Sequence, residues 1–163
     1  IPIQDIVILN CEVVDEKFHA RFSSKERFYK YVILNRHRPS ALKYNRVWHI
    51  YEELDVEKMK KASEFLIGMH DFSSFRDSNC QARSPIKTIN NVNIYKKNDE
   101  IVFEISGKSF LHHMVRNIIG TLRLVGSGKI SVKDFKDILE VKDRTKAGMT
   151  ASPSGLYFVK VEY

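Results

Sequence analysis

The chain has 163 residues, with 27 Lys and Arg against 20 Asp and Glu and a formal charge of +7, and its pI is near 9.4. That length suits one domain able to bury roughly 70% of the surface its unfolded chain exposes, and the positive balance favours a polyanionic partner. Only Cys11 and Cys80 occur, without CxxC spacing, which argues against a disulfide framework or a zinc knuckle and suits the reducing cytoplasm. No window approaches the ~20 apolar residues of a membrane span, and the opening "IPIQDIVILN" lacks the order of a signal peptide. There is no initiating Met and the chain runs almost directly into a predicted strand, so Ile1 is expected to be a cut inside a longer polypeptide.

In chain order, "IVILNCEVV" (Ile6 to Val14) and "RFYKYVILN" (Arg27 to Asn35) alternate and are rich in β-branched or aromatic residues, which predicts two strands. A polar, basic connector, "DEKFHARFSSKE", separates them. Pro39 breaks the pattern before a short segment around Trp48. Asp55 is placed to cap a helix running to about Ile67, with Met59, Ala62 and Leu66 on one face and Gly68 as its stop. The loop "MHDFSSFRDSNCQARSP" follows, then a hairpin of "IKTINNVNIYK" and "EIVFEIS" around the turn "KNDE". From Phe110 to Val125, apolar residues recur at helical spacing and predict the central core helix. A shorter helix capped by Ser131 buries Val132, Phe135, Ile138 and Leu139, and "LYFVKVEY" closes the chain as a strand. The expected class is α+β, a mainly antiparallel sheet with helices packed on one face.

The stretch "SFLHHMVRNIIG" (109–120) sets two histidines and an arginine into the core helix. Taking Leu111 as zero, His112 falls at about 100°, Arg116 at about 140° and Arg123 at about 120°, on one flank of the apolar stripe, whereas His113 and Asn117 point to the opposite side. Adjacent helical histidines diverge too far to share a metal, and no HExxH pattern is present, so no metal is expected. An arginine at the border of a core is suited to holding a carboxylate or phosphate with both arms of its fork. A snorkelling surface arginine fits the same pattern.

Four segments, "FHARFSSKERFYKYVI", "GMHDFSSFRDSNCQARSPIKTI", "FLHHMVRNIIG" and "KDRTKAGMTASPSGLYFVKVEY", resemble the bacterial tRNA pseudouridine synthase A family, in the family's order and over nearly the whole chain. The resemblance implies an enzyme that converts uridines at positions 38, 39 and 40 of the tRNA anticodon stem-loop to pseudouridine, without cofactor or metal. An aspartate nucleophile would break the glycosidic bond, and the uracil would turn and reattach through carbon 5. The target base must first leave its stack, which costs a few kcal/mol and requires a receiving pocket. By the same resemblance Tyr29 stacks on the flipped base, Arg116 orients the nucleophilic aspartate, and Leu156 lines the pocket. A tyrosine face is worth about 1 to 3 kcal/mol per stacked base. Period 2 puts Tyr29 and Tyr31 on one sheet face, so a plain cross-strand aromatic pair explains Tyr29 as well, and a core strand residue explains Leu156. Arg21, Arg27 and Lys30, with Arg76 and Arg83 in the long loop, are the candidate RNA contacts. Family members act as homodimers, which implies the same for the complete protein.

The family's nucleophile sits in a "GRTDAGVHA"-like motif, and no carboxylate of this chain lies in such a context. "DRTKAGMTA" (143–151) puts Lys146 where the aspartate would stand. Residues 1–163 are therefore expected to form the single C-terminal domain of a two-domain synthase, inactive alone, whose N-terminal domain carries the Asp. A non-catalytic tRNA- or RNA-binding module would keep the basic surface and lose the chemistry. A Cys-His hydrolase built on Cys80 and His70 would instead show a reactive thiol near neutral pH.

Overall fold

The computed structural model describes residues 6–163. At its centre β1 (Glu26–Asn35) alternates its side chains between two sheet faces. One edge pairs antiparallel with β5 (Glu100–Gly107), setting Tyr31 opposite Phe103 and Ile33 opposite Ile101. The other edge is divided: its first half pairs antiparallel with β6 (Leu156–Glu162) and its second half parallel with β2 (Trp48–Ile50). β5 pairs with β4 (Ile86–Lys97), and β4 carries β3 (Gly68–Asp71), giving the path β2-β1-β5-β4-β3. The predicted hairpin turn places Asn98 at φ 55°, a left-handed position that asparagine tolerates better than most residues.

The helices form where caps and apolar spacing coincide. Asp55 accepts from Lys58 N at 3.0 Å to start α1 (Val56–Ser63), and Met59 and Ala62 on its inner face are buried. A 3₁₀ turn, Glu64–Leu66, then leads to Gly68, whose φ of 104° few other residues could adopt. α2 (Met114–Gly126) is buried on most of its surface, and α3 (Val132–Val141) begins with a capping box between Ser131 and Asp134. The apolar stripes of all three helices meet Tyr31, Ile33, Ile89, Phe103 and Ile105 in one core. This is the expected α+β arrangement. On the reverse sheet face Val32 borders a shallow recess with Leu42 and Val47 from the connection before β2.

Three expectations are corrected. Ile6–Val14 forms no strand: its large apolar side chains, Ile6 to Leu9 and Val13 among them, stand exposed and pair with no described strand. Alternation makes a segment fit to be a strand, but a strand exists only where a partner takes up its N–H and C=O groups. The core helix starts at Met114, not Phe110, because His113 takes φ 57° and ψ 5° and breaks the helical path before it. The segment predicted as one long loop contains β3 and a 3₁₀ turn, Ser73–Phe75, whose Phe75 is wholly buried.

Candidate functional site

Tyr29 and Tyr31 share a sheet face, as period 2 requires, but have different surroundings. Tyr31 is fully buried, and its hydroxyl donates to the Ser152 carbonyl at 2.6 Å. Gly155 lies so close that a Cβ there would come within 2.6 Å of the Tyr31 ring. Two residues earlier, Tyr29 is only partly buried, held edge-on by Phe110 (5.0 Å between centroids) and Phe158 (5.2 Å). Burial pushes its phenol pKa up, with Arg27 opposing, so the hydroxyl stays protonated past its ordinary range.

A cavity of about 240 Å³ opens beside this ring. Tyr29, Phe110, Arg116 and Leu156 line it, with His112 and His113 at the start of α2. The structure thus brings together the three pocket residues expected from the sequence. Arg116 is anchored by one bond, Nε to the Ala151 carbonyl at 2.7 Å. Neither of its Nη groups donates to another described residue, so the flat end of the guanidinium is available to an anion.

That anchor rests on a buried polar network. Asn117 is completely enclosed; its Nδ2 donates to Phe75 O at 2.9 Å, and its Oδ1 accepts from Thr150 Oγ1 at 2.7 Å and Arg144 at 3.1 Å. Arg144 also donates to Gly148 O at 2.9 Å. Thr121 Oγ1 accepts from Gly148 N at 2.9 Å, and Ala151 N donates to Arg116 O at 3.1 Å. The chain from Gly148 to Ala151 is therefore sewn onto α2, and Ala151 has little freedom to carry its carbonyl away from Arg116. "DRTKAGMTA", which lacks a nucleophile's aspartate, supplies this brace. Asn117 was expected on the side opposite the apolar stripe, and the 147–151 segment and Phe75 cover that side.

A second cavity of about 460 Å³ shares Tyr29, Phe110, Leu111 and His112 with the first, so the two form one cleft. Its outer wall is basic: Arg21, Arg27, Lys87 and Lys108. Arg27 also donates to the carbonyls of Lys108 and Arg21, tying the wall together. The other proposed RNA contacts lie elsewhere. Lys30 faces the reverse side of the sheet, 5.1 Å from the Tyr157 ring, and borders a recess with Lys43 and Arg46. Arg76 braces its loop through the carbonyls of Cys80 (3.0 Å) and Ala82 (2.8 Å). Arg83 is exposed. Two turns beyond Arg116, Arg123 pairs with Glu52 at 2.8 Å and sits over Trp48, outside the cleft. Sequence reading missed Phe110, Lys87 and Lys108; Phe110 was counted as the start of a helix, and the apolar spacing that runs through it carried no signal that the helix begins only at Met114.

The two histidines overturn their helical prediction. His112 and His113 precede α2, stack with centroids 3.8 Å apart and both face Asp77. The hydrolase pair does not assemble: Cys80 Sγ accepts from His112 N at 3.3 Å, while His70, in β3, holds its Nε2 2.9 Å from Ile67 O. Cys80 is buried, which raises its thiol pKa, yet the N–H groups of Ala82 and His112 and the Arg76 charge outweigh that and bring it below the ordinary value.

The sequence profile described as tRNA pseudouridine synthase matches residues 62–163. The chain belongs to that family. It is 52% identical over 158 residues to "tRNA pseudouridine synthase A" of Ehrlichia chaffeensis, covering 97% of this chain and 64% of that protein. The protein of the same name from Ehrlichia canis is 51% identical over 158 residues, with the same coverage. The chain thus spans less than two thirds of the length of these relatives. Among the described residues no helix is long and apolar enough to cross a membrane.

Proposed function

We propose that the chain supplies one wall of the active site of a tRNA pseudouridine synthase that isomerises uridines 38, 39 and 40 of the anticodon stem-loop. The carrying observation is the convergence of Tyr29, Arg116 and Leu156 on one cavity that continues into a basic cleft. The flipped uracil stacks on Tyr29 and packs against Leu156, while the stem's phosphates follow Arg21, Arg27, Lys87 and Lys108. Arg116 receives the nucleophilic aspartate between its free Nη groups and keeps it ionised. Among the described residues Arg116 makes no ion pair, which supports a carboxylate supplied from outside residues 6–163; in this reading it comes from the N-terminal domain of a two-domain protein. The complete protein works as a cytoplasmic homodimer on tRNA.

The test is pseudouridine formation in an unmodified tRNA with uridine at position 39, comparing this chain with the complete open reading frame. Activity confined to the complete protein, and lost in its Arg116→Ala variant, is the expected result. Salt-sensitive tRNA binding by both proteins with turnover by neither would establish a binding module instead.

A further inference from the structure

His113 occupies a left-handed backbone conformation, φ 57° and ψ 5°, that is uncommon for any residue but glycine. Its consequence is geometric: two neighbouring imidazoles that a helix would splay by about 100° point the same way. Both meet one carboxylate. His113 Nδ1 lies 2.8 Å from Asp77 Oδ2 and His112 Nδ1 lies 3.5 Å from Asp77 Oδ1. The carboxylate is itself aimed, because its Oδ1 accepts from Asn79 N at 2.9 Å and Asp77 N donates to His112 O at 3.4 Å. All three residues place a ligand atom within 4.8 Å of the others.

A tetrahedral ion bound at about 2.0 to 2.2 Å holds its ligand atoms roughly 3.3 Å apart; the two histidine nitrogens lie 2.8 and 3.5 Å from different oxygens of the Asp77 carboxylate, close enough for a small rotation to bring all three groups to that spacing. The 3.5 Å gap is too long for a good hydrogen bond, so the His112 ring nitrogen faces the carboxylate without bonding to it. His112 is exposed, so its ring can turn out of the stack to aim its lone pair at the shared point. We propose that Asp77, His112 and His113 form a binding site for a divalent transition metal of the zinc, cobalt or nickel type. Two imidazoles and a carboxylate suit these ions better than magnesium or calcium. His112 borders both cavities, which sets the site at the edge of the cleft, and the site does not depend on the isomerase reading. One carboxylate with Arg116 on the same cavity wall makes this an exchangeable site rather than a permanent structural one.

The test titrates the metal-free chain, carrying Cys11→Ser to remove the exposed thiol, with cobalt(II) and follows its visible absorption, then displaces cobalt with zinc. One ion per chain is expected. His112→Ala, Asp77→Asn and His113→Asn, the last tolerating the left-handed backbone, should each weaken binding at least about tenfold, since losing even an outer partner of a ligand costs that much. His49→Ala should change nothing. Absence of binding at millimolar cobalt and zinc, or an affinity indifferent to His112→Ala, whose exposed side chain can be removed without disturbing the core, would overturn the proposal.

Discussion

The two ends of the cleft are built by different means. The inner end stands on β1, α2 and the Gly148–Ala151 segment, where fully buried Asn117 and Thr121 leave little slack. The outer end is a rim of long, basic side chains at the first residues of β1 and β4 and on the connections beside them, tied mostly through the Arg27 guanidinium. Position is expensive to change at the inner end, and charge is cheap to change at the rim. Selective chemistry needs the first property, and engaging a long polyanion needs the second.

The sharpest way to break the inner end is Gly120→Ala. A Cβ there would fall 1.7 Å from the Met149 carbonyl oxygen, and one on Gly148 would fall 2.6 Å from the Gly120 carbonyl oxygen. Neither backbone can yield without opening the network around Asn117, so a loss of at least about 3 kcal/mol is expected. Thermal unfolding should show it as a fall of about 6 to 12 °C. An unchanged midpoint would mean that the segment carrying Ala151 is looser than its hydrogen bonds indicate.

Next in size are changes at Arg116 and Tyr29 in the complete protein. Arg116→Ala removes one hydrogen bond to Ala151 but the whole free end of the guanidinium, so kcat/KM should fall at least about 100-fold with a far smaller change in thermal midpoint. Tyr29→Ala should cost the stack, about 1 to 3 kcal/mol in substrate binding, whereas Tyr29→Phe keeps the ring and its contacts with Phe110 and Phe158. Equal losses in kcat/KM for the two Tyr29 variants would shift the role from stacking to the hydroxyl. At the rim, Lys108→Ala should weaken tRNA binding less than tenfold and flatten the salt dependence by about 0.7 to 0.9 per lost phosphate contact. A rim substitution that lowered kcat with binding intact would dissolve the distinction between the two ends.

Much of this division was legible beforehand, for reasons that differ by residue. The strand holding Tyr29 and the helix holding Arg116 follow from residue pattern, β-branched and aromatic residues in the first and apolar residues at helical spacing in the second, although the structure buries more than one face of each. Periodicity could not reveal that Tyr31 enters the core while Tyr29 stops at its rim. That difference comes from Ser152 and Gly155, more than a hundred residues away in the chain. The same limit explains Ile6–Val14, whose alternation is local while pairing is not. His112 and His113 were misplaced because the apolar spacing runs straight through them, and only the left-handed turn at His113 decides where the helix begins. The roles of Tyr29, Arg116 and Leu156 came from likeness to a family, since a sheet aromatic and a helix-border arginine are commonplace on their own.

The smallest expected effect separates the two tyrosines of β1 by pH. Burial raises the Tyr31 phenol pKa far above its ordinary range, with Arg116 opposing, and its hydroxyl donates to Ser152 O. The unfolded chain releases this proton near pH 10 while the native state retains it. Stability from this group is therefore complete below pH 10 and declines as pH rises above it, because the unfolded state then binds fewer protons than the native one. Tyr31→Phe should lower stability at neutral pH by about 1 kcal/mol, mostly from the unpaired Ser152 carbonyl. It should also flatten the alkaline decline seen in urea midpoints between pH 9 and 11. Tyr29→Phe should flatten it less, because that ring keeps one side toward the cleft. If both substitutions left the alkaline limb unchanged, the hydroxyls would be better hydrated than their burial indicates, and the inner end would be wetter than its packing suggests.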